Sequence, residues 1–460
     1  MKKMWGGRFN KHLDQVACEY SYSLSVDKEL LPYDIQATIA HVKTLKKAKV
    51  LKPLEATKLI KGLMGVEGYL KSKDLLKFNK KFEDVHTLIN DILEQKVGVV
   101  ARKVHTARSR NDQVITATKL YMKEKITIII NKLTQYQKAL LVLAKTGKSV
   151  AIPGYTHLQR AQVVLFAHHI LAYLEMAERD KERFKSLFSR VDRLPLGSGS
   201  LAGLSFSIDR AYTAKLLGFS KICENSIDAV SSRDDTIEFL SCISILFMHL
   251  SRLSEDFILW NSQEFGFIDI PDDFTTGSSI MPHKKNADMF ELTRGRAGKA
   301  FGNLVSVLVT MKGLPLAYNR DMQEDKEPLF SSVNLAINVL SLFSKMIPKI
   351  KIKKDSCFIA SSDSFLYATD LMDHLVKGGI ALRDAHFIVG QIVSYSLKSR
   401  KDLSELSLKE LKKFSHGFDI DPKQIFNSKQ SLSKRKSFGS TNPSMVKRMI
   451  SSWERRLDKK

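Results

Sequence analysis

The stretch VITATKLYMKEKITIIINKLTQYQKALLVLAK, Val114 to Lys145, runs for over 30 residues without a glycine or a proline. Its apolar residues return at helical spacing, so it reads as one long helix. A second run follows Pro153 to His157, with Ile170, Leu174, Ala177, Phe184, Phe188 and Val191 at spacings near three, four and seven. A third spans about Asp234 to Trp260, a fourth Met289 to Met311 and a fifth Leu329 to Phe343. Long helices with apolar stripes need one another, which predicts a mainly α helical bundle. The third is apolar on most faces and is expected at the centre of a bundle or of an oligomer.

Outward from this bundle the pattern shortens. Residues 1–108 read as a mostly helical N-terminal domain, with two shorter helices in Ser25 to Leu51 and Pro53 to Lys71. Residues 109–354 hold the long helices. Residues 355–460 read as a small C-terminal helical domain, with a helix-loop-helix in Asp370 to Lys398 and a closing helix after a basic, Ser-rich segment. Few segments read as strands. Gly 23 and Pro 11 make up about 7% of the 460 residues, where about 12% is usual. Scarce chain-breakers favour extended helices.

Composition bounds the function. The net charge of +24 is spread along the chain and reads as a lysine-biased solvated surface. No zinc spacing and no RNA-binding signature accompanies it, so no nucleic-acid partner is expected. Cys18, Cys223, Cys242 and Cys357 are far apart and show no metal spacing. The N-terminus has no apolar signal region, and no uncharged apolar run reaches the roughly 18 residues of a membrane span. The expectation is a soluble, cytoplasmic chain with no membrane partner.

Polar junctions separate the helices: HTARSRNDQ (105–113), PGYTHLQRAQ (153–162), LGSGSLAG (196–203), NSIDAVSSRD (225–234), TTGSSIMPHKKN (275–286) and LAYNRDMQEDK (316–326). Loops on a rigid scaffold are where binding and catalytic groups collect. These loops are rich in anion-binding donors and poor in metal-type clusters, so neither a metal nor a cofactor is expected. There is no P-loop, no GxGxxG after a strand and no GxSxG elbow. Ser278 beside Lys284 and Asn286 suits proton abstraction next to a carboxylate. That step places a second negative charge on the carboxylate, and fixed cations and amides must meet it. Ser278 could act as base if its oxyanion were held by Lys284 and by amides at the following helix N-terminus. Gly277 would let the loop bend and Pro282 would stiffen it. The plainer reading is that this stretch only caps the next helix. His157 could likewise be a structural imidazole, Arg233 a helix-start partner of Asp234, and Tyr318 a core-edge aromatic.

GSSIMPHKKN resembles the GSSxMPxKxN signature of the fumarase/aspartase superfamily, whose members release fumarate from a succinyl group. Trp5 to Phe9, EDVH (83–86), HTARSRNDQV (105–114), PGYTHLQRAQ, NSIDAVSSRD, LPLAYNRDMQEDKE (314–327) and ATDLMDHLVKGGIALRDAH (368–386) are similar, in order, to blocks of the argininosuccinate lyase family. The resemblance implies a three-domain subunit, a homotetramer with a twenty-helix core, and active sites shared between subunits. It implies reversible cleavage of argininosuccinate to arginine and fumarate, without a cofactor, as the last step of arginine biosynthesis. By the same resemblance Ser278 is the base. Lys284 and Asn286 stabilise the carbanion, and His157, oriented by Glu291, is the candidate acid. Thr156, Ser109, Arg110 and Asn111 hold the fumarate-side carboxylates. Tyr318, Gln323 and Lys326, with Arg233, Ser23, Asp27 and His86, complete the arginine side.

The chain departs from the family pattern in four places. His283 stands where Gln is usual and looks more like adenylosuccinate lyase. Ala287 and Val163 replace prolines, and Ala107 replaces a glycine. The alternatives are another fumarate-releasing lyase such as adenylosuccinate lyase, or a crystallin-like structural homologue.

Overall fold

A computed structural model of the chain describes residues 13–78, 81–419 and 421–458; Trp5 to Phe9 lies outside them. The five long helices are present as Arg110–Thr146, Phe166–Val191, Asp234–Asn261, Asp288–Met311 and Lys326–Met346. In the first, Ile126, Ile129, Leu133, Tyr136, Leu140 and Leu143 are buried. Their alternating steps of three and four make one continuous seam. In the second, Leu187 takes the fully buried position and Phe188 is only half-buried. The third buries Phe239, Leu240, Ile243, Leu246, Phe247, Leu250, Leu253 and Phe257. Its Ser244 and Ser254 hydroxyls donate to the carbonyls of Leu240 and Leu250, at 2.8 and 2.7 Å, so neither is left unpaired in the core.

Asp234–Asn261 and the run Arg320–Lys349, although interrupted by charged residues, are long and apolar enough to cross a membrane by length and composition. About half of each apolar window is packed inside the protein, and core helices of soluble proteins pass the same test.

Two compact units divide the chain, each assembled from three separate stretches. The first comprises Met1–Ile130, Glu182–Ser244 and Gly298–Ile337; the second comprises Asn131–Lys181, Ile245–Ala297 and Asn338–Lys460. In the first, Tyr121 lies edge-on to Tyr33 and Phe330, with centroids 5.6 and 4.7 Å away. The helices Leu31–Lys47, Pro53–Lys71 and Val85–Val97 belong to this unit.

In the second unit a line of rings runs from Tyr136 through Phe343, Phe290 and Phe257 to Trp260, with centroid spacings of 5.2 to 6.2 Å. Trp260 in turn meets Phe267, Phe267 meets Phe265, and Phe265 meets Tyr155. Tyr155 stands in an antiparallel hairpin, Ala151–Thr156 with Gln159–Leu165. The sequence reading treated this segment as a polar junction. Farther along, helices Ala368–Lys377 and Leu382–Ser399 pack through Leu371, Leu375, Val389 and Ile392. Gly379, at φ +96°, makes the turn between them.

Candidate active site

In the first unit the substrate-side residues converge by local pairing. Asp84 caps the Val85–Val97 helix through the Thr87 amide, at 2.6 Å. Its other oxygen meets Arg110 Nε at 3.3 Å. Arg110 also donates to Thr87 and Gln113, at 3.2 and 3.1 Å, so its guanidinium is aimed before any ligand arrives. Ser109 is fixed through Asp112, and Asn111 through the Ser200 carbonyl. Ser109 N donates to Asp112 Oδ1 at 2.9 Å, and the Asn111 side chain donates to Ser200 O at 3.1 Å. Asp112 Oδ2 accepts from the amides of Gly197 and Gly199, at 3.0 and 2.9 Å. Gly199 has φ +65°, and a Cβ there would lie 2.6 Å from the Gly203 carbonyl oxygen. Only glycine fits that clasp.

Ser23 Oγ donates to Asp27 at 2.6 Å, and the Val85 amide donates to the other Asp27 oxygen at 3.1 Å. Burial pushes the Asp27 carboxyl up to about 6, although the His86 charge pulls the other way. His86 is buried, with Nδ1 3.0 Å from Asp34 but not aligned for a hydrogen bond. Burial would raise Asp34 as well, but His86 and Arg108 beside it hold it below the usual carboxylate range.

Arg233 pairs with Asp325 rather than with its neighbour Asp234. Lys326 takes the other Asp325 oxygen at 2.8 Å. All three are buried. Burial opposes ionisation of Asp325, and the Lys326 and Arg233 charges overcome it. Burial pushes the Tyr318 phenol up, with Arg233, Asp325 and Arg320 near enough to act on it. Gln323 and Arg320 both reach the Ser21 carbonyl, at 3.3 and 2.9 Å. Ser23 N donates to Glu83 O at 2.8 Å. Ser23, Asp27, His86 and Arg110 thus gather about the start of the Val85–Val97 helix, Gln323 and Arg320 meet Ser21, and Arg233, Asp325 and Lys326 form a buried cluster of their own within electrostatic reach of Tyr318. The supporting carboxylates Asp34, Asp84, Asp112 and Asp325 were missed as site residues. Asp84, Asp112 and Asp325 stand inside quoted blocks; for Asp112 and Asp325 a nearby Arg110 or Lys326 was the available signal, and for Asp84 there was none.

The second unit carries the other candidates. The loop from Thr276 to Asn286 is closed at its neck, where Asn286 N donates to Thr276 O at 2.8 Å. Inside it, Ser278 Oγ accepts from the Ile280 and Met281 amides, at 3.3 and 3.1 Å. The sequence reading assigned those donors to the next helix; they come from the loop itself, as a tight serine turn. Gly277 has no positive φ, and a Cβ there would meet nothing nearer than Lys284 O at 3.7 Å, so the bend does not require glycine. Lys285 is held by Asp269 and Asp272, at 2.9 and 2.7 Å. Lys284 is exposed and, among the described residues, forms no ion pair. Asn286 Nδ2 donates to Gly277 O at 3.4 Å. The helix does start at Asp288, whose carboxylate accepts from Thr276 Oγ1. The loop is therefore tied to the first turn of the helix as well as presenting Ser278.

Thr156 and His157 stand exposed at the tip of the hairpin. Glu291 is exposed on the first turn of its helix, and among the described residues no hydrogen bond joins it to His157. Nor, among the described residues, do three or more His, Cys, Asp or Glu side chains gather as a metal would need.

Residues 7–302 match a family described as Lyase, and residues 365–433 one described as Argininosuccinate lyase C-terminal. An argininosuccinate lyase of Sulfurihydrogenibium sp. is 47% identical over 458 residues, covering 100% of this chain and 99% of the relative. The chain belongs to the argininosuccinate lyase family. Another argininosuccinate lyase, from Caldanaerobacter subterraneus, is 48% identical over 438 residues, 95% of this chain and 99% of that one. A solved EDDS lyase variant with bound fumarate has the same fold, with a TM-score of 0.85 at 23% identity over 97% of this chain and 89% of that one.

Among the described residues, the non-glycine positions with positive φ are Lys49, Ala107, His157, Leu158, Ala317 and Arg400. Four of them adjoin or include candidate groups: Ala107 precedes Ser109 and Arg110, His157 and Leu158 form the hairpin turn, and Ala317 precedes Tyr318. Each such residue costs roughly 1–2 kcal/mol.

Proposed function

We propose that the chain cleaves argininosuccinate to arginine and fumarate, reversibly and without a cofactor. Ser278 removes a proton from the succinyl Cβ, and the electron pair moves into the adjacent carboxylate. The dianion is met by Lys284 and Asn286. The bond from Cα to the guanidinium nitrogen then breaks, with His157 supplying that nitrogen a proton. Arg110 grips a carboxylate through paired guanidinium N–H donors, and Ser109, Asn111 and Thr156 add hydroxyl and amide donors to the carboxylates. Asp27 offers the counter-charge to the cationic end of the substrate.

The observation that carries this reading is the environment of Ser278. A serine is a poor base in water. Here its oxygen faces two amide donors in a loop that also carries Lys284, which has no ion pair among the described residues. Those donors favour the alkoxide over the alcohol. The test is ultraviolet detection of fumarate, with argininosuccinate and adenylosuccinate offered separately. Fumarate from argininosuccinate alone is expected. Fumarate only from adenylosuccinate would overturn the substrate, and release from neither by a folded protein would overturn the activity.

The same proposal includes a homotetramer with shared active sites. Its support is the apolar surface of the Asp288–Met311 helix, where Leu292, Phe301, Val305, Leu308 and Val309 are exposed in the single chain. An exposed stripe of this kind marks an interaction surface. Sedimentation should give four chains per particle. A cytoplasmic location and a place at the end of arginine biosynthesis follow from the same reading. None of the four cysteines is in a disulfide, which suits a reducing compartment.

A further inference from the structure

The hairpin that carries His157 is built against its own sequence. A two-residue turn with both φ values positive favours Asn-Gly or Gly-Gly. This one uses His157 at φ 54° and Leu158 at φ 59°. Neither side chain relieves the strain locally, and Leu158 is 75% exposed, so no core contact holds it. The flanking ladder is interrupted by a register shift between Pro153 and Tyr155. A Cβ at Gly154 would lie 3.0 Å from the Gln162 carbonyl oxygen, so the arms are already close at the irregularity. Something outside the turn must hold it.

The external contacts near the tip are few. Tyr155 packs on Phe265, with centroids 5.4 Å apart. Directly across the ladder from Tyr155 stands Arg160. Arg160 donates to Asp363 Oδ2 at 2.9 Å. The other Asp363 oxygen accepts from the Phe365 amide at 3.0 Å, where Asp363 caps the short helix Ser364–Tyr367. Thus one carboxylate ties the returning arm of the turn to the start of a helix whose Leu366 and Tyr367 are buried. At the far end of the same arm, Leu165 N donates to Thr441 Oγ1 at 2.7 Å. The arm is pinned at both ends, and the Arg160 end lies nearest His157.

We infer that the Arg160–Asp363 pair is a positioning device, which holds the strained His157–Leu158 turn in the shape that presents the His157 ring and the Thr156 hydroxyl to the substrate. The inference rests on the proposed roles of His157 and Thr156. Neither Arg160 nor Asp363 need touch substrate. Without the pair the turn relaxes towards negative φ, the ring moves, and proton delivery slows more than binding does.

The experiment compares Arg160→Gln, Arg160→Lys, Asp363→Asn and the double variant Arg160→Gln/Asp363→Asn, by steady-state fumarate release. Asparagine keeps the helix cap, so Asp363→Asn removes the tether alone. Wild type is run alongside with argininosuccinate. Sedimentation and melting confirm folded, assembled protein. Arg160→Gln and Asp363→Asn should each lower kcat about tenfold, as misplacement of a reacting group does, with KM changed less than about twofold. Arg160→Lys should recover part of the loss. The double variant should be no worse than the poorer single variant, because both act through one contact. A further pair decides the mechanism. Leu158→Gly gives the turn a residue that accepts positive φ. In that background Asp363→Asn should cost less than about twofold. Unchanged kcat in the folded single variants would overturn the inference. So would multiplicative losses in the double variant, or a loss equally large with Leu158→Gly. Absence of activity in the wild type would instead overturn the proposed reaction.

Discussion

The two units solve opposite problems with charge. In the first, Arg233, Asp325 and Lys326 are buried and paired with one another, and Arg110 is aimed by three partners. In the second, Ser278, Lys284 and His157 sit on a loop and a turn, and Lys284 has no ion-pair partner among the described residues. The difference teaches a division of labour. On the proposed roles, Arg110 and Arg233 are pre-organised by neighbours before substrate binds, while Ser278 and Lys284, which would meet transient charge, are kept uncommitted. Lys284 and Lys285 display the contrast within two residues, one unpaired and the other held by two aspartates.

This contrast can be broken most directly at Ser278. Ser278→Ala should lower kcat by about 10²- to 10⁴-fold, the usual contribution of a general base. Its urea midpoint should match the wild type, because the hydroxyl is bonded only within its loop. A large loss of stability would break the comparison. Asp325→Ala should do the reverse and fail first as a folded protein. It leaves two buried cations unpaired, which costs about 3–5 kcal/mol; the check is the shift in chemical-denaturation midpoint.

Asp27 sharpens the comparison through pH. Its carboxyl sits at about 6, so it is charged at neutral pH and takes a proton as pH falls through that value. A neutral Asp27 no longer attracts a cationic group. KM for argininosuccinate should therefore rise by up to about tenfold per pH unit below 6, and Asp27→Asn should have a high KM that is flat across this window. The linked effect on stability has the opposite sign. A carboxyl whose folded pKa is raised favours the folded state at low pH, and that contribution is lost as pH rises through about 6. The smallest effect is at Ala107, where φ is 53°. Ala107→Gly should raise stability by about 0.5–1 kcal/mol, seen as a higher melting temperature with kcat little changed.

Much of this was legible in the sequence, for physical reasons. The long helices announce themselves because a seam of Ile126, Ile129, Leu133 and Tyr136 repeats many times without interruption. The site segments were legible as polar junctions between those helices, and the resemblance supplied their roles. The hairpin was not legible. Its turn is His-Leu rather than Asn-Gly, and its first strand contains Pro153 and Gly154, which argue against a strand. Its shape comes from the Phe265 ring and from Asp363, distant in sequence. The donors to Ser278 were sought too far away, because a helix N-terminus is the familiar source of amides, whereas a serine turn supplies them two and three residues on. Burial was equally hidden: nothing in QEDK distinguishes Asp325, inside, from Glu324, outside.

The pairing of Thr276 with Asn286 has a further consequence. It makes residues 277–285 a cassette, whose two ends leave the scaffold at the same point. Changes of length or sequence inside it leave the Asp288–Met311 helix where it is, since each doubling of such a loop costs only about 0.6 kcal/mol of closure entropy. Substitutions such as His283 fall inside that cassette, and Ala287, buried against the helix start, falls just outside it. The tip can therefore change in length or sequence while the frame that carries it stays fixed.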